Sequence, residues 1–232
     1  MTGPVMSICM APMKQCIETI RGSGPVSLMI RHAERHPISS MKNPFEAMLT
    51  EKGASDAFLM GRQLSELGEL RLFHSPVARC RDTAINIGKG ISEKSGVQVP
   101  AEMIYDLGGP YMRGDWDYVS RLIDQIGQDS FIRQWFDGML PERVLMPLKE
   151  AALNQMAILA GQLANTGPSA INVTHDWNIL ILREWAFNLR HEDLGWPGFL
   201  DGIAAHRVNS SIHLCYHGEL AEIPLSKLSL PA

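Results

Sequence analysis

Apolar residues fall along this chain in two kinds of segment. Short runs at Val26 to Ile30, Glu69 to Phe73 and Ala170 to Val173 have the length and aliphatic character of buried strands. Longer segments carry apolar or small residues at helical spacing. Thr50 can cap one such helix, in which Ala54, Ala57, Phe58, Gly61, Leu64 and Leu67 share a face. Pro76 sits where the first turn of another helix tolerates it. A third extended stretch runs from Val97 to Tyr105, and the irregular GGPYMRGDWD follows it. Two or three helices come next, the last from Pro147 to Ala164, stopped by Gly167-Pro168. Asn178 to Leu189 forms a further helix, and Ile212 to Tyr216 with Leu220 to Ile223, joined at His217-Gly218, a late hairpin or edge pair. Residues 1–24 form an N-terminal extension with room for a short helix from Met6 to Arg21. The segment GWPGFLDGIAAHRV at 195–208 receives no element and no role. Strands alternating with helices predict a three-layer α/β/α domain around a mostly parallel central sheet. No linker or repeat divides the chain, so residues 1–232 read as one domain.

Composition narrows the function classes. Hydrophobic residues make up 45% of the chain, enough for a sizeable core, and exclude wholesale disorder. A net charge of -4 argues against a nucleic-acid partner, which normally demands a basic excess. No apolar run reaches the roughly 18 residues of a membrane helix. The N-terminus lacks an early basic residue, and Lys14 interrupts its apolar stretch, so it does not read as a signal peptide. Cys9, Cys16, Cys80 and Cys215 are too scattered for a zinc cluster and too few for a disulfide framework. The expectation is a cytoplasmic protein with buried free thiols, no membrane partner and homodimerisation left open.

The chemistry-bearing residues stand at strand ends. The first strand runs into Arg31-His32, the second into His74-Ser75 and the third into Thr174-His175-Asp176. In open α/β sheets ligands bind beyond the carboxyl ends of parallel strands. If these three strands are neighbours, Arg31, His32, Arg35, Arg79, His175 and Asp176 converge on one crevice. Three arginines and two histidines in an acidic protein make a pocket for a dianion, phosphate or sulfate. Zinc is the alternative, because His32 and His36 are four apart as in a helical H-E-x-x-H. The Glu is misplaced for that motif, and Pro37 disfavours helix at His36.

At these residues the chain resembles the histidine phosphatases. RHAERHP at 31–37 is similar to their R-H-G/A-x-R-x-P signature. HSPVARCRDTA at 74–84 resembles their S-x-x-x-R-x-x-x-T/S-A block, matching Ser75, Arg79 and Thr83. LTEKGASDAFLMG at 49–61 is similar to the L-T-x-x-G-x-x-Q-A helix, with Asp56 in place of Gln. THDWN at 174–178 resembles the H-D-x-N of the acid-phosphatase branch. The resemblance implies a phosphoglycerate mutase-like fold and a phosphatase acting on a small-molecule phosphomonoester, with no metal and no cofactor. It makes His32 the nucleophile that becomes phosphohistidine. Arg31, Arg35, Arg79 and His175 would be donors to the phosphoryl oxygens, and Asp176 the acid and then base. Lys42, Arg113, Trp177 and Asn178 would bind the substrate, with Tyr111 and Trp116 near the mouth. Should the mutase-like branch be the better template, Glu34, Glu102 or Asp106 would supply the acid. A phosphotransferase or mutase, or a non-catalytic phosphate-binding module, are the alternatives.

Overall fold

The computed structural model describes residues 11–20, 24–38, 43–164 and 166–228. Seven strands form one sheet in the order β3-β2-β4-β1-β5-β6-β7. β1 (Val26–Arg31), β2 (Leu70–His74), β3 (Ala101–Met103) and β4 (Ser169–Thr174) run parallel. β5 (Gly202–Val208) is antiparallel to β1, and β6 (Ser211–Tyr216) and β7 (Glu219–Pro224) continue the meander.

Side-chain alternation sends each strand's residues to opposite faces, and two cores result. Val26, Leu28 and Ile30 of β1 join Leu70, Leu72, Ile171 and Val173 on one face. α1 (Ala11–Ile20), α2 (Glu51–Leu64) and α3 (Ala78–Ser95) cover it. Met29, Phe73 and Ala170 point the other way, under α4 (Trp116–Ile126), α5 (Gln128–Phe136), α6 (Leu148–Gln162) and α7 (Asp176–Phe187). A short α8 (His191–Leu194) precedes β5. The expected three-layer α/β/α architecture is therefore present. The sheet has a parallel centre and an antiparallel flank.

Several boundaries differ from the sequence reading. Thr50 does cap α2, its hydroxyl accepting from Gly53 N at 2.9 Å. The buried stripe of α2 is Gly53, Ala57, Met60, Gly61 and Leu64, turned from the expected face so that Ala54 and Phe58 are only half-buried. The reason is the α2–α3 contact. A Cβ on Gly61 would sit 2.0 Å from Ile87 O, and one on Gly90 would sit 2.0 Å from Phe58 O, so these helices meet backbone to backbone. Of the extended stretch from Val97 to Tyr105, only Ala101–Met103 pairs, at the sheet edge. α3 starts at Ala78, two residues beyond Pro76, and α7 starts at Asp176, two before the predicted Asn178. The 195–208 segment, to which the sequence assigned no role, supplies β5. The parts of the Met6–Arg21 helix outside Ala11–Ile20 lie beyond the described residues. Cys16, Cys80 and Cys215 are buried free thiols, as expected, and Cys9 lies outside the described residues. Cys16 of α1 and Cys215 of β6 meet at 2.7 Å, seating α1 on the antiparallel flank.

Candidate active site

β2, β4 and β1 are adjacent, so their carboxyl ends open onto the same crevice. Beyond each strand the backbone is still tied to its neighbour. His32 N donates to Thr174 O at 2.9 Å, and Ser75 N to Val173 O at 3.0 Å. Thr83 then links two motifs, accepting from Ala33 N at 3.0 Å and donating to Arg79 O at 2.7 Å. Arg79 lies in the first turn of α3 and Asp176 in that of α7, so two helix N-termini face the crevice.

His32 is buried, 2% exposed. Its Nδ1 lies 2.8 Å from Ala33 O, a partner that can only accept, so Nδ1 carries the proton. Nε2 is left with its lone pair, which accepts from Arg79 Nε at 3.0 Å. Burial, then electrostatic interaction with His175 and Arg79, holds the His32 pKa well below the usual histidine range. The result is a neutral imidazole with a directed lone pair.

His175 sits beside it, the two rings 5.7 Å apart edge to face. Its Nδ1 accepts from Arg79 Nη2 at 3.3 Å, and its Nε2 is 3.0 Å from Ser75 Oγ. Burial, then Arg79, Arg31 and Arg35, push its pKa down to about 3. Cys80, one residue beyond Arg79, packs behind His175 with Sγ 3.6 Å from Nε2 and outside the cavity lining. Burial pushes that thiol up to about 12.

Arg31 reaches three ways. Its Nη2 pairs with Asp176 Oδ2 at 2.8 Å, its Nη1 donates to Pro197 O at 2.5 Å, and its guanidinium lies 4.4 Å over the Phe199 ring. Asp176 Oδ1 accepts from Trp177 N at 3.0 Å, closing the start of α7. The Nε groups of Arg31 and Arg35 are buried without a hydrogen-bond partner. Burial, together with the neighbouring arginines, lowers the pKa of Arg35. Unsatisfied buried donors among crowded cations are what an anion would relieve.

All six residues line one cavity of about 730 Å³. Of the residues expected to bind substrate, Trp177 joins them, the only described one to do so. Arg113 does not, because it is ion-paired to Glu150 and donates to Glu142 O. Asn178 is buried behind the site, its amide donating to Leu107 O at 3.1 Å and to Thr174 Oγ1. Lys42 lies outside the described residues. Tyr111 and Trp116 do line the cavity, whereas Glu34, Glu102 and Asp106 do not. Glu34 pairs with Thr50 and Lys52, and Glu102 with Arg71. Among the described residues, His32 and His36 join no cluster of metal-type donors, and His36 is exposed.

Sequence reasoning missed the 195–201 segment. It supplies Trp196 to the cavity, the Pro197 carbonyl to Arg31, and Phe199 to the His32 ring at 5.8 Å. Leu200 holds a left-handed backbone (φ 60°) from which its N–H reaches Arg31 O at 3.2 Å. Such a conformation persists only where its surroundings enforce it. Asp201 O receives Arg31 N at 2.8 Å, while its carboxylate accepts from Tyr216 Oη at 3.0 Å and contacts His217 Nε2 at 2.9 Å. The density of Gly, Pro and aromatic residues there was the available signal.

No protein-family model matches the sequence, and no curated protein does. Solved structures do match the fold. YhfR of Bacillus stearothermophilus superposes with a TM-score of 0.59 at 17% identity, covering 84% of this chain and 97% of its own. The mycobacterial glucosyl-3-phosphoglycerate phosphatase gives 0.56 at 18% identity, over 79% and 91%. The phosphoglycerate mutase of Bacillus anthracis str. Sterne gives 0.52 at 16% identity, over 91% and 98%. The chain has the fold shared by the histidine phosphatases and phosphoglycerate mutases.

Proposed function

We propose that this protein is a phosphatase that hydrolyses a small phosphomonoester through a phosphohistidine on His32. The observation that carries this reading is the neutral His32 Nε2, presented among three arginines in one cavity. An incoming phosphorus takes the place of the Arg79 Nε–H at that lone pair. Arg79 then turns its donors to the phosphoryl oxygens, joined by Arg31 and Arg35. These cations meet the charge that spreads over the equatorial oxygens in the transition state. His32 attacks in line, the P–O bond to the alcohol breaks, and Asp176 delivers a proton to the departing oxygen. Water then cleaves the phosphohistidine, with Asp176 taking the proton from it. Charge stabilisation by three arginines requires no metal ion.

Hydrolysis in the manner of the acid-phosphatase branch is favoured over mutase chemistry by the position of the carboxylates. Asp176 reaches the cavity, and Glu34, Glu102 and Asp106 do not line it. The test is turnover of p-nitrophenyl phosphate by the purified chain in EDTA. Wild type is expected to release phosphate and to yield an acid-labile, base-stable phosphoprotein on quenching. His32→Ala is expected to do neither while unfolding at the wild-type urea midpoint. Absence of turnover by folded wild type, or undiminished activity in His32→Ala, overturns the proposal.

A further inference from the structure

The phosphate end occupies a small part of the cavity, and the remainder has a distinct chemistry. Its wall is built from Phe45, Tyr111, Trp116, Trp177 and Trp196. Four of these rings form a connected surface: Phe45 to Trp116 is 5.4 Å, Trp116 to Trp177 6.3 Å and Tyr111 to Trp177 6.1 Å between centroids. Phe45 is 47% exposed at the rim, apolar surface that a ligand would cover. Among the described lining residues the cationic side chains are Arg31, Arg35 and Arg79, all committed to the phosphate end. Arg113, expected from the sequence to contact substrate, is ion-paired to Glu150 and does not line the cavity. A glycerate carboxylate or second phosphate thus finds no described cation on this wall. A sugar would set most of its hydroxyl groups against ring carbons, since away from the phosphate end the described lining offers it only the Gln128 amide, the Tyr111 phenol and indole N–H groups.

Resting on the phosphatase reading above, we propose that the substrate is the monophosphate of an alcohol bearing an aromatic group, with the ring lying on the Phe45–Trp116–Trp177 wall. Offset and edge-to-face ring contacts fit these tilted aromatic neighbours. A cavity of about 730 Å³ has room for such a group beside the phosphate. Phe45 and Trp116 are then specificity-determining residues for the reaction.

The test compares kcat/KM for 2-phenylethyl phosphate, ethyl phosphate and glucose 6-phosphate, whose leaving groups are all primary alkoxides. Chemistry at phosphorus is therefore nearly constant, and the difference reads the wall. The phenylethyl ester is expected to exceed both others by about tenfold or more, from burial of its ring. Phe45→Ala and Trp116→Ala are each expected to shrink the phenylethyl-to-ethyl ratio severalfold. Phe45 is exposed enough that its loss does not threaten folding. Glucose 6-phosphate equalling the phenylethyl ester, or a ratio unmoved in both variants, overturns the assignment. If folded protein turns over none of the three, the phosphatase reading falls instead. The wall is then read by binding, since quenching of its tryptophans reports 2-phenylethylphosphonate against ethylphosphonate. Tighter binding of the aromatic phosphonate upholds the wall assignment, and equal affinities overturn it.

Discussion

His175 offers a test of the site's electrostatics that does not depend on turnover. It is enclosed by β4, α3 and the guanidinium of Arg79, and its pKa falls from 6.5 to about 3, chiefly through burial and then through Arg79, Arg31 and Arg35. In the unfolded chain the imidazole returns to about 6.5. Below that pH the unfolded chain binds a proton that the native protein refuses. Stability therefore rises with pH across this window and is lost on acidification. Integrating the linkage relation between these two values gives a loss of about 2 kcal/mol from pH 7 to pH 5 for this residue alone. His175→Gln keeps a donor and an acceptor but cannot titrate. In urea unfolding at the two pH values, wild type should lose about 2 kcal/mol more than the variant, other groups cancelling in the difference. Parallel pH dependences would refute the reasoning, because they would mean that native His175 takes up its proton. His32 shifts in the same direction, chiefly through burial.

Asp176→Asn should lower kcat/KM for ethyl phosphate by on the order of 10²–10⁴-fold and for p-nitrophenyl phosphate clearly less, because nitrophenolate departs without a proton. Equal small losses on both esters would remove Asp176 from the acid role and leave it as a helix cap. Gly53→Ala would place a Cβ 2.1 Å from Glu34 O, in the loop that carries His32 and Arg35. A displacement of that loop by about 1 Å should cost on the order of 10²-fold in kcat/KM, and unchanged kinetics would show that α2 does not set the loop position.

The strand ends were legible because chemistry and periodicity coincide there: an apolar run stops and Arg-His, His-Ser or His-Asp follows. Their convergence depended on β2, β4 and β1 being neighbours, which chain order does not dictate. Arg113 was misplaced because its partner Glu150 lies 37 residues on, across the fold. Asn178 looked like a site residue by closeness to Asp176, yet two residues of helix turn it about 200° round, onto Thr174 and Leu107. β5 escaped notice because its residues are small for a steric reason invisible in one dimension. A Cβ at Gly202 would lie 2.1 Å from Met29 O, and Ala204 and Ala205 are wholly buried between the two cores. The 195–201 segment acts largely through backbone carbonyls and N–H groups, and sequence carries little information about those.

The placement of β1 in the middle of the sheet has a consequence for how the chain is made. Its two neighbours, β4 and β5, are both late in the sequence; Val26 and Ser169, hydrogen-bonded across the β1–β4 boundary, are 143 residues apart. At synthesis rates of about 5–20 residues per second, the Val26–Ile30 run waits roughly 7–30 s after leaving the ribosome before either partner strand exists. Throughout that interval an apolar strand has two open edges, and His32 has neither Thr174 nor Arg31's Asp201 to fix it. Contacts of such long range also slow folding after release. Nascent chains ending before β4 therefore expose both edges of this apolar strand, a template for stray pairing.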